Sequence, residues 1–189
     1  SLWYIQTYNY MSVYTISSIA KIINGDFIHG FDSDYIIKEL AYDSRKIQHQ
    51  SHVLFFALLS SKNDGHNYIE ELYDKNVRNF VINKTYTHTH RFSEANFILV
   101  DDTLHALQTL AKHHRRNFHL PIIGITGSNG KTAVKEWLYQ LLYNDYNIAY
   151  APNSFNSQIG VPLSVWNLNE DIQLGIFEAG ISKPNEMNV

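Results

Sequence analysis

Cysteine is absent from the 189-residue sequence, which excludes disulfide bonds, thiolate metal sites and a thiol nucleophile. No apolar run approaches the ~20 residues that a membrane-spanning helix needs. Neither sign of charge dominates, because 15 lysines and arginines stand against 18 aspartates and glutamates, so neither nucleic acid nor anionic lipid is indicated as a partner. Apolar residues make up 44 % of the sequence, enough for a packed core. We therefore expect a soluble, cytoplasmic globular protein without a membrane span.

The first ten residues, Ser1 to Tyr10, carry four aromatic side chains and no charge. They lack the basic start and small-residue cleavage site of a signal peptide. Because an orderly pattern begins only after Met11, we expect residues 1–10 to be upstream or non-native sequence.

The hydrophobic pattern predicts strands that alternate with helices, which indicates an α/β fold. Helices are expected from Thr15 to about Asn24, at about 67–75, after Asp102, after Gly130 and up to about Trp166. Strands are expected at 36–42, 53–58, 80–82, 97–100, 122–126, 148–150 and 174–177.

The strongest chemical signal is the turn between the strand at 122–126 and the next helix, Thr126-Gly127-Ser128-Asn129-Gly130-Lys131-Thr132. Glycines let several backbone N–H groups point at one anion, and the helix N-terminus adds its positive end. Lys131 can reach the phosphates of a nucleotide, and the hydroxyl of Thr132 can hold Mg²⁺. The pattern G-x4-G-K-[ST] would need its first glycine at Ile125, and an ordinary turn also favours Gly and Asn. Since Gly-Lys-Thr stands where a strand meets a helix, we predict a phosphate site.

Glu178 is a second candidate because it follows the predicted strand at 174–177. Ligands of parallel sheets gather at the carboxyl ends of the strands, where this carboxylate could share a phosphate-bound Mg²⁺ with Thr132. A single acidic residue is more often solvated, and position alone does not decide between the two interpretations. The polar loop 153–158 also follows a strand, but its position is equally typical of a loop capped by Ser157.

Polar segments of the first half follow two further predicted strands, Asp43-Ser44-Arg45 and residues 61–66. Both could present donors to a phosphate or a base, yet Asn-Asp-Gly at 63–65 is a strong turn signal by itself, and local sequence favours turns. The basic run 112–116 is typical of a solvated helix end. The histidines at 88, 90, 113 and 114 match no zinc spacing and are expected at the surface.

Taken together, five motifs in order resemble one family, the Mur ligases, which are ATP-dependent amide-bond ligases of peptidoglycan synthesis. The resemblance begins at about Val13 and continues to the last residue. The family's phosphate-loop pattern, T-G-x-x-G-K-[ST], fits without the mismatch at Ile125. The five similar segments are Tyr42-Asp43-Ser44-Arg45, Asp64-Gly65-His66, residues 125–132, residues 155–162 and Phe177-Glu178-Ala179-Gly180.

The resemblance implies a small N-terminal α/β domain that binds a UDP precursor, residues 1–100. The first part of a P-loop-type parallel-sheet ATPase domain would follow in residues 101–189, truncated at the last residue. It implies ATP and Mg²⁺ as cofactors and a monomeric protein. Because the remaining strands and the C-terminal domain would lie beyond Val189, we expect this chain alone to be inactive.

Roles for single residues also follow from the resemblance. Lys131, Glu178 and Asn156 would be catalytic, and Thr132 and Glu178 would hold the metal. Ser157 stands where most relatives have a second asparagine. ATP would contact the run Gly127, Ser128, Asn129, Gly130, Lys131, Thr132 and Ala133. The UDP end of the precursor would contact Tyr42, Ser44, Arg45, Ser61, Lys62 and Asn63.

Within the family, residues 64–68 and 160–162 resemble the members that add D-alanyl-D-alanine to UDP-MurNAc-tripeptide. Residues 156–166 and 176–182 resemble a subgroup of these members that is fused to an alanine racemase. In such ligases ATP phosphorylates the tripeptide carboxylate, and the dipeptide amine attacks the acyl phosphate. Three alternatives stay open at this point: another P-loop kinase or ATPase, a Mur ligase for a different amino acid, and a non-catalytic nucleotide-binding module. Uridine-nucleotide binding by the first half would separate a Mur ligase from the kinase or ATPase and from the binding module.

Overall fold

The computed structural model describes residues 13–28, 30, 32–47, 50–60, 63–151 and 157–180. Within these ranges, three short 3₁₀ helices cover Ser44–Lys46, Gly65–Tyr68 and Thr89–Arg91. Among the described residues, no helix is long and apolar enough to cross a membrane. The strands and α-helices follow one another as β1 (Tyr14–Thr15), α1 (Ile16–Ile22), β2 (Asp26–Ile28), β3 (Ile36–Ile37), β4 (Glu39–Ala41), β5 (Val53–Phe56), α2 (Ile69–Asp74), β6 (Asn79–Asn83), β7 (Asn96–Val100), α3 (Thr103–Arg115), β8 (Ile122–Ile125), α4 (Lys131–Leu142), β9 (Ile148–Tyr150), α5 (Gly160–Trp166) and β10 (Leu174–Glu178).

The first half forms a five-stranded sheet in the order β2-β7-β6-β5-β4. Strands β4 to β7 run parallel, and β2 pairs antiparallel with β7. The two-residue strands β1 and β3 form a separate antiparallel pair. Because β4 and β5 are parallel neighbours, the segments that follow them leave the sheet at the same edge.

Helices cover both faces of this sheet. Leu54 and Phe56 of β5 pack with residues of α1 and α3 in one core cluster. Phe55, which points to the opposite face, packs with Ile69 and Leu72 of α2 in a second cluster. All five side chains are at most 1 % exposed. The arrangement confirms the predicted α/β fold, in which parallel strands are buried on both sides.

The second half forms a three-stranded parallel sheet in the order β8-β10-β9. Its core is smaller and centres on Ala149, Ala151 and Phe177, with Leu168 beyond α5. The apolar residues of α4 contribute little to burial: Trp137 is 65 % exposed, and Leu141 is 72 % exposed. The described part of the chain therefore leaves the outer face of α4 uncovered.

α3 and α5 join the two halves. Trp166 at the end of α5 lies in the same core cluster as the first sheet, and its indole N–H donates to the carbonyl of Lys38 at 3.0 Å. Next to it, His114 of α3 is only 6 % exposed, so the prediction that it lies at the surface is wrong. The spacing explains the burial, because residue 114 continues the buried stripe of Leu107 and Leu110 along α3.

Local signals located most elements correctly. Thr15 caps α1 with a reciprocal capping box, and Asp102 caps α3 by accepting from two backbone N–H groups. The strand predicted at 36–42 divides into β3 and β4, and the short strand β2 was not predicted. β2 has three residues and carries too little alternation to be distinguished from the flanking turns, and its pairing partner β7 lies far away in the sequence. The domain boundary after residue 100 stays a prediction.

Candidate nucleotide-binding site

The glycine-containing turn joins β8 to α4, as the sequence predicts. Gly127 and Gly130 have φ angles of 145° and 77°, values that favour glycine. Gly130 directly precedes the first residue of α4, Lys131, while Ser128 and Asn129 are exposed between the glycines. The first N–H groups of α4 have no partner within the helix, so this turn offers donors and a positive helix end to an anion.

Lys131 lies over this turn. Its ammonium donates a hydrogen bond to the carbonyl of Gly127 at 2.6 Å, and its side chain is partly exposed. Ala133, two residues further along the first turn of α4, is exposed. An ammonium held at the mouth of a glycine turn can form charge-assisted hydrogen bonds to phosphate oxygens.

Glu178 lies beside the turn because β10 pairs with β8, with Glu178 opposite Ile125. The side chain is wholly buried, at 0 % exposure. The hydroxyl of Thr132 donates to Glu178 Oε2 at 3.1 Å. The structure thus brings together the two side chains that the sequence proposed as metal ligands, and the solvated interpretation of Glu178 is wrong.

Lys135 is a member of the cluster that the sequence did not indicate as functional. Its side chain is 0 % exposed, and its Nζ lies 3.1 Å from Glu178 Oε1. The same ammonium donates to the carbonyl of Ala151 at 2.8 Å and lies 3.2 Å from Glu136 Oε1. The available signal was its spacing, since a residue three positions after Thr132 shares its helix face.

The oxygen atoms of this cluster fit a nucleotide-bound Mg²⁺. Glu178 Oε1 is buried and faces the ammonium of Lys135 at 3.1 Å, whereas Oε2 faces the hydroxyl of Thr132 on the side of the turn. Mg²⁺ prefers oxygen ligands and usually takes one or two from the protein, keeping waters and phosphate oxygens for the rest. Accordingly, the described residues contain no group of three or more His, Cys, Asp or Glu side chains that could hold a metal alone. Thr132 and Glu178 would hold the ion, which would neutralise phosphate charge.

The predicted uridine-site residues around Arg45 lie at the edge of the first sheet. The guanidinium of Arg45 binds the carboxylate of Asp43 through two hydrogen bonds, of 2.9 and 2.8 Å. The hydrogen bonds from Arg45 hold the pKa of Asp43 below its usual range despite partial burial. Arg45 nevertheless stays 86 % exposed, and Ser44 beside it is partly buried.

Tyr42 and Asn63 belong to the same predicted site. Tyr42 lines a cleft of about 270 Å³ between β4 and α5. The hydroxyl of Tyr68 donates to Asn63 Oδ1 at 3.1 Å. The pKa of Arg45 is raised, mainly by its hydrogen bond to Asp43, with smaller contributions from Tyr68 and Tyr42. Ser44, Arg45 and Asn63 do not line the cleft.

Asp64-Gly65-His66 has a structural role in this fold. His66 is only 9 % exposed; its Nδ1 donates to Asp64 at 2.6 Å, and its Nε2 accepts from the backbone N–H of Asn83 at 2.9 Å. Partial burial disfavours ionisation of Asp64, but the hydrogen bonds from His66 outweigh it and lower its pKa. A Cβ on Gly65 would lie 2.7 Å from the nitrogen of Leu58, so glycine is required there. Through the hydrogen bonds of His66, the motif connects the end of β6 with the loop after β5.

Three predicted site residues, Ser61, Lys62 and Asn156, lie outside the described residues. The same holds for residues 1–10.

Comparison with known proteins identifies the family. Residues 125–189 match the model of the Mur ligase middle domain. The chain is also 31 % identical over 175 residues to the UDP-N-acetylmuramoyl-tripeptide--D-alanyl-D-alanine ligase of Bacillus subtilis, an alignment that covers 93 % of this chain and 37 % of that protein.

The chain belongs to the Mur ligase family.

Further Mur ligases are also similar to most of this chain. The ligase of the same name from Treponema pallidum is 34 % identical over 175 residues, which cover 89 % of this chain and 36 % of that protein. The structure of the UDP-N-acetylmuramoylalanyl-D-glutamyl-2,6-diaminopimelate--D-alanyl-D-alanyl ligase from Acinetobacter baumannii superposes with a TM-score of 0.80 at 24 % identity, over 94 % of this chain and 39 % of that one, which shows the shared fold.

MurF ligase from Thermotoga maritima in complex with ADP superposes with a TM-score of 0.64 at 27 % identity, over 78 % of this chain and 33 % of that one. This Mur ligase chain therefore spans less than two fifths of the length of each of these four relatives.

Proposed function

We propose that this chain forms the precursor-binding part and the ATP loop of a ligase that adds D-alanyl-D-alanine to UDP-MurNAc-tripeptide. The turn and cluster of Gly127, Lys131, Thr132 and Glu178 carry the proposal, since they combine phosphate donors with two oxygen ligands for Mg²⁺. The names of the relatives from Bacillus subtilis and Treponema pallidum support the choice of substrate. The reaction would take place in the cytoplasm, in a monomer.

The phosphate-binding half of the chain would act by position and charge. Backbone N–H groups between Gly127 and Gly130 cradle the phosphates of ATP, and Ser128, Asn129 and Ala133 border the nucleotide. Lys131 neutralises the charge that develops on the transferred phosphoryl group. Thr132 and Glu178 hold Mg²⁺, which supplies further charge neutralisation when bound. Asn156 would face the phosphoryl group or the substrate.

The first half would hold the UDP end of the precursor. The edge where the segments after β4 and β5 emerge together carries the guanidinium of Arg45, which is held by Asp43, and the rings of Tyr42 and Tyr68. A braced guanidinium suits a diphosphate, and an aromatic ring suits a base. Ser44, Ser61, Lys62 and Asn63 would complete the contacts.

The ordered reaction follows from the chemistry of amide synthesis. The tripeptide carboxylate attacks the γ-phosphorus of ATP, ADP leaves, and an acyl phosphate forms. The amine of D-alanyl-D-alanine then attacks the acyl carbon, and inorganic phosphate leaves as the amide bond forms. Because this chain covers 37 % of its Bacillus relative, we propose that it performs no turnover alone. An alanine racemase after the ligase stays a prediction.

Calorimetric titration of the 189-residue chain tests both halves separately. UMP and UDP-MurNAc-tripeptide should bind with saturation whereas AMP should not, and ADP with Mg²⁺ should bind at a second, independent site. Lys131→Met should weaken ADP binding and spare UMP, whereas Arg45→Met should weaken UMP binding and spare ADP. Lys112→Met, which replaces an exposed lysine of α3, serves as the control. ADP binding without any uridine binding would favour another P-loop enzyme or a binding module and refute the ligase assignment. Amide-bond formation by the isolated chain would refute the proposal that it is inactive alone.

A further inference from the structure

Lys135 is an unusual residue for the interior of a small sheet. Within α4, all of whose residues the structure describes, it alone is fully buried, while the apolar Trp137 and Leu141 stay exposed. Transfer of an ammonium group out of water is costly unless a carboxylate and hydrogen bonds compensate. An apolar side chain of similar length would fill the same space without that cost. Packing therefore does not explain why a lysine occupies this position.

The polar contacts of Lys135 explain why a lysine occupies this buried position. Its Nζ lies 3.1 Å from Glu178 Oε1, donates to the carbonyl of Ala151 at 2.8 Å, and lies 3.2 Å from Glu136 Oε1. Ala151 directly follows β9 and Glu178 ends β10, so one ammonium connects the carboxyl ends of both strands to α4. The carboxyl ends of these strands and the start of α4 are the elements that build the phosphate site.

The two oxygens of Glu178 have different neighbours. Oε1 faces the ammonium of Lys135, whereas Oε2 faces the hydroxyl of Thr132 at 3.1 Å. A carboxylate held at one oxygen cannot rotate freely about its terminal bond, so the other oxygen keeps a fixed direction. Lys135 itself is 0 % exposed, which leaves the contact with phosphate to Lys131 at the turn. The two lysines, one helical turn apart, thus have separate tasks.

We propose that Lys135 is a positioning residue that orients Glu178 for the Mg²⁺ of the bound nucleotide. This inference rests on the proposed function, because it assumes that Thr132 and Glu178 hold that ion. Lys135 contacts neither the nucleotide nor the metal and acts through Glu178. Groups that orient a metal ligand from behind typically change metal affinity by about 10- to 100-fold when they are removed.

The proposal makes a specific prediction about ADP affinity with and without the metal. Lys135→Met should reduce the gain in ADP affinity that Mg²⁺ produces by at least about tenfold. The affinity measured in EDTA should change less than about twofold, because the backbone donors of the turn and Lys131 remain. Glu178→Gln should lose the same gain, whereas Lys112→Met, which replaces an exposed lysine of α3, should keep it.

Calorimetry of the 189-residue chain with ADP, in Mg²⁺ and in EDTA, provides the measurement, and circular dichroism melting curves report folding. If Lys135→Met does not fold, the double variant Lys135→Met with Glu178→Gln removes both buried charges. The double variant should fold and still show no more gain from Mg²⁺ than Glu178→Gln alone.

Three results would decide against the inference. An unchanged gain from Mg²⁺ in folded Lys135→Met would overturn it, and so would an equal loss of affinity in Mg²⁺ and in EDTA, which indicates a merely structural role. A double variant with the wild-type gain would also overturn it. Absence of ADP binding to the wild-type chain would refute the proposed function first, and the inference with it.

Discussion

Replacement of His114 by phenylalanine would test the junction between the two halves of the molecule. The ring of His114 donates from Nε2 to the carbonyl of Leu168 at 2.9 Å and accepts at Nδ1 from the hydroxyl of Tyr14 at 3.1 Å. Asn117 in turn donates to that hydroxyl at 2.9 Å. The hydrogen bonds therefore connect the start of the first half, α3 and the segment after α5.

The expected loss in the free energy of unfolding follows from the polar groups that lose their partners. Phenylalanine keeps a flat ring and is somewhat larger than histidine, so the variant removes both hydrogen bonds without opening a cavity. The carbonyl of Leu168 would lose its donor, and the hydroxyl proton of Tyr14 would lose its acceptor although Asn117 still donates to that oxygen. Each loss costs about 1–3 kcal/mol. We expect His114→Phe to lower the free energy of unfolding by about 2–5 kcal/mol.

The pH dependence of the stability provides a second, independent test. Burial lowers the pKa of His114 below its ordinary value of 6.5, and the hydrogen bond to the carbonyl of Leu168 opposes this only in part. Below about pH 6.5 the unfolded chain binds more protons at His114 than the folded chain, so protonation favours unfolding. The wild type should therefore lose stability as the pH falls below about 6.5, and His114→Phe should lose this contribution.

Urea unfolding followed by fluorescence measures both effects, since the ring of Trp166 lies 4.7 Å from that of His114. His105→Phe on the exposed side of α3 is the matched control and should change stability by less than about 0.5 kcal/mol. If His114→Phe also changed stability by less than about 0.5 kcal/mol, and if its stability difference between pH 7 and pH 5 equalled that of the wild type, the reasoning would be refuted.

Four further substitutions test the core and the turns. Leu107→Ala truncates a side chain with 0 % exposure and should lower the free energy of unfolding in urea by about 2–5 kcal/mol. Leu141→Ala, at 72 % exposure, should lower it by less than about 0.5 kcal/mol. Equal effects of the two substitutions would contradict the observed packing. Gly65→Ala should destabilise by more than about 1 kcal/mol, because its Cβ would lie 2.7 Å from backbone, and a higher melting temperature would contradict this. Lys131→Met should weaken ADP binding by about 10- to 100-fold in calorimetry, the value of a charged hydrogen bond, and unchanged affinity would exclude a phosphate contact.

Local chemistry in the sequence was enough to predict the phosphate turn. The glycines at 127 and 130 and the Lys-Thr pair that opens α4 lie within six residues of one another, so no distant contact is needed to define their conformation. Helices α1 and α3 were predictable for the same reason, since their caps bond to N–H groups two or three residues away. The order of the five similar motifs also made the family resemblance visible before the fold was known.

Only the tertiary structure decided which charged side chains are buried. A lysine on a helix is normally solvated, and nothing near Lys135 in sequence shows that the ends of β9 and β10 enclose it. His114 was expected at the surface because the four histidines match no metal-site spacing, yet packing of α5 against α3 buries it. The strands β1 and β2 were also decided by pairing with β3 and β7, which lie far away in the chain. Local propensity determines turns and caps, whereas burial and strand pairing depend on residues that only the folded chain brings together.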